Sequence, residues 1–189
     1  MRVPLRKGGL VLGLVVFAGA RADGVDPQLQ KALGQALDSP QPATDAAARQ
    51  VWWTDYRNRL RPFVTKPERR RRLVRMIFSE ARRAAVPPGL VFAVIQVESA
   101  FNRFALSPAG ARGLMQIMPF WREEIGRRRD NLFQPRVNLR YGCTILRHYL
   151  DRENGDILDA LAAYNGSVGR TIYPRKIYRA YRQRWAEPD

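Results

Sequence analysis

From residue 66 onward, apolar residues recur with the 3.6-residue period of an α-helix, and this pattern sets the fold class. No segment there shows the strict alternation of β-branched and polar residues that is typical of a half-buried strand. Short turns rich in Gly, Pro and Asn separate the apolar stripes. The sequence therefore predicts an all-α domain over residues 66–189.

Local signals place the helices of this domain. Thr65 and Glu68 have the spacing of a capping box, with Pro67 in the first turn, so a helix is predicted to begin there. The Pro87-Pro88-Gly89 run ends that helix and begins the next, which is predicted to reach Glu98. Three more helices are expected, from Asn138 to about Leu150, from Asp156 to about Tyr164, and from about Arg175 to Trp185.

The first 22 residues have the pattern of a secretory signal peptide. Basic residues precede an apolar run over residues 10–18, and two small-x-small cleavage sites follow. A retained membrane anchor is the alternative, although the run is far shorter than the ~20 residues that a spanning helix needs. We therefore expect an exported protein, either periplasmic or associated with the cell envelope.

Residues 23–65 are predicted to form an N-terminal arm followed by a short helical extension. Asp45 is a candidate cap for that helix. Its aromatic and apolar face is expected to dock on the following domain, with glycan binding as the alternative; that face comprises Trp52, Trp53, Tyr56 and Leu60.

The chain has one cysteine and one histidine, which excludes an internal disulfide, a zinc site and a Cys/His catalytic pair. Cys143 falls on an apolar helical stripe and is predicted to be a small buried side chain. No metal or organic cofactor is expected, and the chain is predicted to be a monomer.

The formal net charge of +16 indicates an anionic partner. In an exported protein, that partner is an anionic cell-envelope polymer or a membrane surface. Nucleic acid is the rival, because arginines cluster at residues 69–72, 82–83 and 127–129. These clusters fall on the predicted solvent faces of helices, and no nucleic-acid-binding motif is present, so nucleic acid is not expected.

Glu98 is the candidate functional residue with the clearest physical argument. Val91, Val94, Ile95 and Glu98 stand at i, i+3, i+4 and i+7, so a carboxyl group ends an apolar helix face. Burial among apolar groups raises a carboxyl pKa and prepares the group to act as a general acid near neutral pH.

Three motifs around this residue resemble the catalytic domain of the soluble lytic transglycosylases, which are lysozyme-like enzymes that cleave peptidoglycan. They are the block from Glu98 to Pro119, the run Asn138-Leu139-Arg140-Tyr141-Gly142, and the block from Ala160 to Gly166. The resemblance spans residues 68–185. It implies a lysozyme-like helical fold, with peptidoglycan glycan strands as substrate and cleavage of the β-1,4 bond between N-acetylmuramic acid and N-acetylglucosamine.

The resemblance also implies that a single Glu98 acts first as acid and then as base. The substrate's N-acetyl group stabilises C1, and its C6 hydroxyl attacks to give a 1,6-anhydro product. Most glycosidases need a second carboxylate, and no Asp or Glu lies between Glu98 and Arg122. A hydrolytic muramidase is the alternative if Glu123, Glu124, Asp130 or Asp156 approaches Glu98 in space.

Further roles follow from the resemblance residue by residue. Tyr164 is expected to hydrogen-bond Glu98, and its phenol also falls on a buried stripe with Ile157 and Leu161. The predicted substrate contacts, each with a purely structural alternative as a turn, cap or core residue, are Ser107, Gly113, Gln116, Met118 and Asn165.

The sequence departs from the common family pattern at Arg103, at Phe120-Trp121 and over residues 165–170. None of these changes removes the acid, but the last two are expected to reshape the cleft wall. A non-enzymatic cell-wall-binding module remains an alternative of a different class, and a secretion apparatus is a further candidate partner.

Overall fold

The computed structural model describes the backbone of residues 46–186 and side chains from residue 50 onward. Every regular element in this range is helical, and its extended pairing is limited to two isolated bridges, Leu106 with Arg112 and Arg112 with Ile117. The helices are α1 (Ala46–Arg59), α2 (Pro67–Arg83), α3 (Pro88–Ser99), α4 (Trp121–Glu124), α5 (Pro135–Arg152), α6 (Ile157–Tyr164) and α7 (Ile172–Ala180), which continues into a π-helical turn (Tyr181–Trp185).

The all-α prediction is therefore confirmed for the described residues. The predicted signal peptide, the first part of the arm and the Asp45 cap lie outside them. Between residues 46 and 186, no helix combines the length and apolar character needed to cross a bilayer.

Helix α3 lies at the centre of the core. The predicted stripe of Val91, Val94 and Ile95 is fully buried, but Phe92 and Ala93 on the other side are fully buried too. A helix that is apolar all round is a core helix rather than an amphipathic surface helix. Glu98 therefore lies in the last turn of a helix whose residues from Pro88 to Ile95 are all buried.

The start of α2 differs from the predicted capping box. Pro67 does occupy the first turn, but Lys66 is the N-cap residue and no side chain caps the helix. Thr65 lies one residue too early for its hydroxyl to serve as that cap. The Arg70 guanidinium instead donates to the backbone oxygens of Val64 (2.8 Å) and Thr65 (2.6 Å), which holds the chain before the helix.

Helix α1 packs on the domain through an aromatic cluster, as its apolar face predicted. Tyr56 is fully buried, and its hydroxyl donates to the Trp185 backbone oxygen at 3.0 Å. The Trp185 ring lies 5.9 Å from that of Tyr56 and 4.9 Å from that of Phe92. The indole N–H donates to Gln96 Oε1 at 2.7 Å, so one side chain joins α1, α3 and the C-terminal turn.

Helix α5 begins earlier than predicted, at Pro135, and buries the expected stripe that includes Cys143. Gly142 on this stripe lets Met115 approach the helix, because a Cβ there would lie 2.3 Å from the Met115 sulfur. Helix α7 also begins three residues earlier than predicted, at Ile172, and this places Tyr173 on its buried face.

Candidate active site

The backbone reverses sharply just after Glu98. Ala100 (φ 45°) and Phe101 (φ 63°) both adopt the left-handed conformation, which costs energy for non-glycine residues and is concentrated at functional sites. Phe101 is buried and Ser99 donates to the Leu114 backbone oxygen at 2.8 Å, so packing holds this turn in place. The turn brings the segment 105–117 alongside the end of α3.

Glu98 is half-buried and forms one side-chain hydrogen bond among the described residues. The Tyr173 hydroxyl donates to Glu98 Oε1 at 2.6 Å. Burial raises the pKa of Glu98 to about 7, and the Tyr173 hydrogen bond opposes part of that rise. Burial also raises the pKa of Tyr173 well above its ordinary value, so its hydroxyl stays a neutral donor.

Tyr164 does not make the hydrogen bond that the family resemblance implies. Its hydroxyl donates to the Met115 backbone oxygen at 2.8 Å, and Tyr173 takes the position on Glu98. The cause is the crossing of α7 over α3, which brings the first turn of α7 against the end of α3. Tyr164 still lies near enough for the charge of Glu98 to raise its pKa, after burial as the main cause.

Two polar side chains of the segment 105–117 bond to its own backbone. Ser107 Oγ accepts from the Ala111 N–H at 3.0 Å, which is a turn contact. Gln116 (φ 49°) donates from Nε2 to the backbone oxygens of Ala105 (3.2 Å) and Gly113 (3.0 Å). Substrate contacts by Ser107 and Gln116 remain predictions, and both residues have a structural role as well.

Gly113 shows why a glycine is needed in this segment. Its φ is +77°, and a Cβ would lie 2.5 Å from both Asn138 Nδ2 and the Leu132 backbone oxygen. Asn138 is fully buried and accepts from the Met115 N–H at 2.8 Å. The close approach at Gly113 is therefore to the start of α5.

Neither the Met118 nor the Asn165 side chain is joined to Glu98. Met118 is half-buried and Asn165 is exposed at the C-terminal end of α6. No hydrogen bond within residues 50–186 joins either side chain to Glu98. Their assignment as cleft residues remains a prediction.

The four other candidate carboxylates have partners or positions of their own. Asp130 accepts from the Tyr141 hydroxyl at 2.6 Å, and Asp156 caps α6 through the N–H groups of Leu158 and Asp159. Glu123 and Glu124 are exposed. No carboxylate contributes to the pKa shift of Glu98, so burial and Tyr173 account for its protonation among the described residues.

Tyr173 is the residue that sequence reasoning missed. With the last helix predicted to begin at Arg175, this tyrosine fell in a loop. A start at Ile172 places Pro174 in the first turn, where its missing N–H costs nothing, and puts Tyr173, Ile177 and Ala180 on one buried face. This i, i+4, i+7 spacing in the sequence predicts a buried helix face that includes Tyr173.

Comparison with known proteins identifies the family of the chain. Residues 75–184, more than half of the chain, match the family described as the transglycosylase SLT domain. The transglycosylase of Enterobacteria phage PRD1 is 39% identical over 89 residues, which cover 47% of this chain and 32% of that protein. Membrane-bound lytic murein transglycosylase C of Glaesserella parasuis serovar 5 (strain SH0165) is 31% identical over 120 residues, which cover 55% of this chain and 33% of that protein.

Among solved structures, an inactive mutant of the lytic transglycosylase Slt from Pseudomonas aeruginosa matches with 27% identity and a TM-score of 0.44. The match covers 56% of this chain and 20% of that one. The chain spans about a third of the length of the curated relatives described above. On the strength of the match over residues 75–184, the chain belongs to the transglycosylase SLT domain family.

Proposed function

We propose that the protein is a peptidoglycan lytic transglycosylase that cleaves the β-1,4 bond between N-acetylmuramic acid and N-acetylglucosamine without water. The observation that carries the proposal is Glu98, a half-buried carboxyl group with a pKa of about 7 and a neutral tyrosine as its hydrogen-bond partner. Such a group is substantially protonated near neutral pH, so it can donate a proton and later accept one.

In the first step, the Glu98 proton passes to the glycosidic oxygen as the bond from that oxygen to C1 breaks. The substrate's own N-acetyl oxygen stabilises the positive charge that develops at C1. In the second step, the Glu98 carboxylate accepts the proton of the C6 hydroxyl while the C6 oxygen bonds to C1. The product is a 1,6-anhydro sugar, and Glu98 ends protonated as it began.

Tyr173 supports both steps because it holds one carboxyl oxygen and leaves the other for the substrate. The other four candidate carboxylates are exposed, engaged elsewhere or absent from the causes of the Glu98 pKa shift. This arrangement supports a single acid/base rather than a pair of carboxylates. Tyr164, Gln116, Ser107, Met118, Asn165 and Gly113 form the proposed surroundings of the substrate.

We place the protein at the cell envelope, where its substrate lies. The relatives from Glaesserella parasuis and Haemophilus ducreyi are named membrane-bound lytic murein transglycosylases, which supports that location. Export to the periplasm rests on the predicted signal peptide. A secretion apparatus that crosses the cell envelope is a second candidate partner at the same location.

Mass spectrometry of digested peptidoglycan tests the proposal. We expect fragments that end in 1,6-anhydro-N-acetylmuramic acid, and we expect Glu98→Gln to release none. Glu124→Gln is the matched control, because it removes an exposed carboxyl group and should digest like the parent. Reducing ends in place of anhydro ends would show a hydrolase instead, and binding to sacculi without any released fragment would show a wall-binding module.

A further inference from the structure

A basic cavity of about 670 Å³ lies between the start of α2, the start of α5 and the turn after α3. Its lining includes none of the residues assigned above to the active site. Five cationic side chains surround it and no Asp or Glu does; they are Lys66, Arg69, Arg72, Arg103 and Arg136. Within the described part of the chain, none of the five forms an ion pair.

This charge is not explained by the fold. Elsewhere, arginines of the same helices are neutralised, as Arg71 is by Glu68 at 2.7 Å and Arg83 by Glu80 at 2.7 Å. Five unpaired cations around one cavity repel each other and attract an anion with several charges. Four of the five are arginines, whose planar guanidinium groups match the oxygens of phosphate in pairs.

The cavity also has an apolar side. Leu73 and Met76 contribute to its wall, and Phe104 lies at its edge with 61% of its surface exposed. The Arg103 guanidinium lies 4.3 Å from the centre of the Phe104 ring. Leu106, two residues further along the same segment, is 63% exposed.

Cationic side chains beside exposed apolar ones are the two features that bind a protein to an anionic lipid surface. A nucleic-acid base would stack on Phe104, but an aliphatic side chain such as Leu106 gains nothing from stacking. Leu106 does gain from transfer into the acyl boundary of a bilayer. The two exposed apolar side chains, Phe104 and Leu106, therefore favour a lipid surface over a soluble polyanion as the ligand.

We propose that this cavity binds the phosphate headgroups of anionic phospholipids and holds the domain against a membrane surface. The exposed side chains of Phe104, at the cavity edge, and Leu106, two residues further along the chain, then enter the acyl boundary. A second basic cavity of about 590 Å³ shares Arg136 and extends the same surface toward Arg127. The proposal does not depend on the enzymatic activity proposed above.

The experiment needs a local readout, because the apolar run at residues 10–18 of the full chain can bind vesicles by itself. An environment-sensitive fluorophore attached through Leu106→Cys provides it. The native Cys143 is fully buried and burial raises its pKa to about 12, so it should not react. Val168→Cys is the matched label site, since Val168 is an equally exposed apolar residue outside the cavity.

The label at position 106 should shift to the blue with phosphatidylcholine vesicles that contain phosphatidylglycerol, and not with phosphatidylcholine alone. The label at position 168 should not shift. Arg69→Gln with Arg72→Gln should weaken vesicle affinity about 30-fold, at about fivefold per removed charge. Arg170→Gln with Arg179→Gln removes the same charge outside the cavity and should weaken it much less.

The proposal would be overturned if the fluorescence shifted equally at positions 106 and 168. It would also be overturned if both double variants lost vesicle affinity equally, because either result would show unspecific electrostatic attraction. Competition by duplex DNA or inorganic phosphate that abolishes the shift at position 106 would assign the cavity to a soluble anion instead. Thermal unfolding of each variant confirms the fold. The Glu98→Gln protein should bind vesicles like the parent, and this separates failure of the lipid site from failure of the proposed activity.

Discussion

At the residue scale, Glu98 combines a benefit for chemistry with a cost for stability. Its position at the end of the core helix α3 keeps the carboxyl group largely out of water, and this raises its pKa to about 7. Tyr173 holds one oxygen at 2.6 Å and favours the ionised form. The protonation of the acid thus depends on two opposing effects, and each can be changed separately.

Tyr173→Phe removes the hydrogen bond that lowers the Glu98 pKa, so that pKa should rise above about 7. The alkaline limb of the pH profile of kcat/KM on peptidoglycan should therefore move to higher pH. The kcat at the optimum should fall about ten- to hundredfold, because the carboxyl group is no longer held in position. Tyr178→Phe, on the same helix, is the control and should leave the alkaline limb of the profile unchanged. If the alkaline limb of Tyr173→Phe also stays in place, Tyr173 does not lower the Glu98 pKa.

Glu98→Gln should stabilise the protein at alkaline pH. The unfolded carboxyl group ionises near pH 4.3, and the folded one near 7. The unfolded state therefore holds fewer protons between these values, and the stability of the parent falls as pH rises from about 4.3 to about 7. Glutamine does not ionise, so the variant should exceed the parent by roughly 2–3 kcal/mol at pH 8 and match it at pH 4. Urea unfolding at both pH values measures this, and equal stabilities at pH 8 would contradict it.

At the element scale, one buried carboxylate joins two helices. Glu80 on α2 is 2% exposed and contacts Arg83 of its own helix at 2.7 Å and Arg140 of α5 at 2.9 Å. Burial alone would raise the Glu80 pKa, but the hydrogen bonds and charges of the two arginines outweigh it and the pKa is lowered. The contact fixes α5, and with it Asn138 and Gly142, against the segment that surrounds Glu98.

Glu80→Ala should destabilise the protein by about 2 kcal/mol. The value lies below that for a fully buried ion pair, because both arginines remain partly exposed and can regain water. The contribution of Glu80 should be present above the ordinary carboxyl pKa and be lost as pH falls below it. Glu68→Ala is the control, since its ion pair with Arg71 is exposed and should contribute less than about 0.5 kcal/mol. Equal urea midpoints for the two variants would contradict this ranking.

At the scale of the whole molecule, Trp185 joins the two ends of the described chain to its central helix. It is fully buried, and its ring packs against Tyr56 of α1 and Phe92 of α3. Its N–H also holds Gln96, two residues before Glu98. The two ends of the described chain are thereby fastened to the helix that carries the acid.

Trp185→Ala should cost about 3–5 kcal/mol, as expected for removal of a large core side chain. Trp53→Ala on α1 removes the same side chain from a half-buried site and should cost clearly less. Thermal unfolding by circular dichroism compares them, and similar losses would mean that Trp185 is not the central contact. Trp185→Phe should recover part of the stability, because it restores most of the ring packing.

The residues of the sequence alone determine the helical class, most helix positions and the place of the Glu98 carboxyl group at the end of an apolar helix. These depend on contacts between residues three or four apart and on the local effects of Pro and Gly, so a linear pattern is enough to predict them. The Val91, Val94, Ile95 stripe and the stripe through Cys143 were predicted on this basis and are buried.

Only the tertiary structure decided which tyrosine reaches Glu98. Tyr164 and Tyr173 are both placed on buried helix faces, but the hydrogen bond to Glu98 joins residues 75 positions apart and depends on how α7 crosses α3. The basic cavity likewise combines side chains from α2, α5 and the turn after α3, which are distant in the chain. Helical periodicity describes one helix face at a time, whereas these features arise from the angles and distances at which the helices pack.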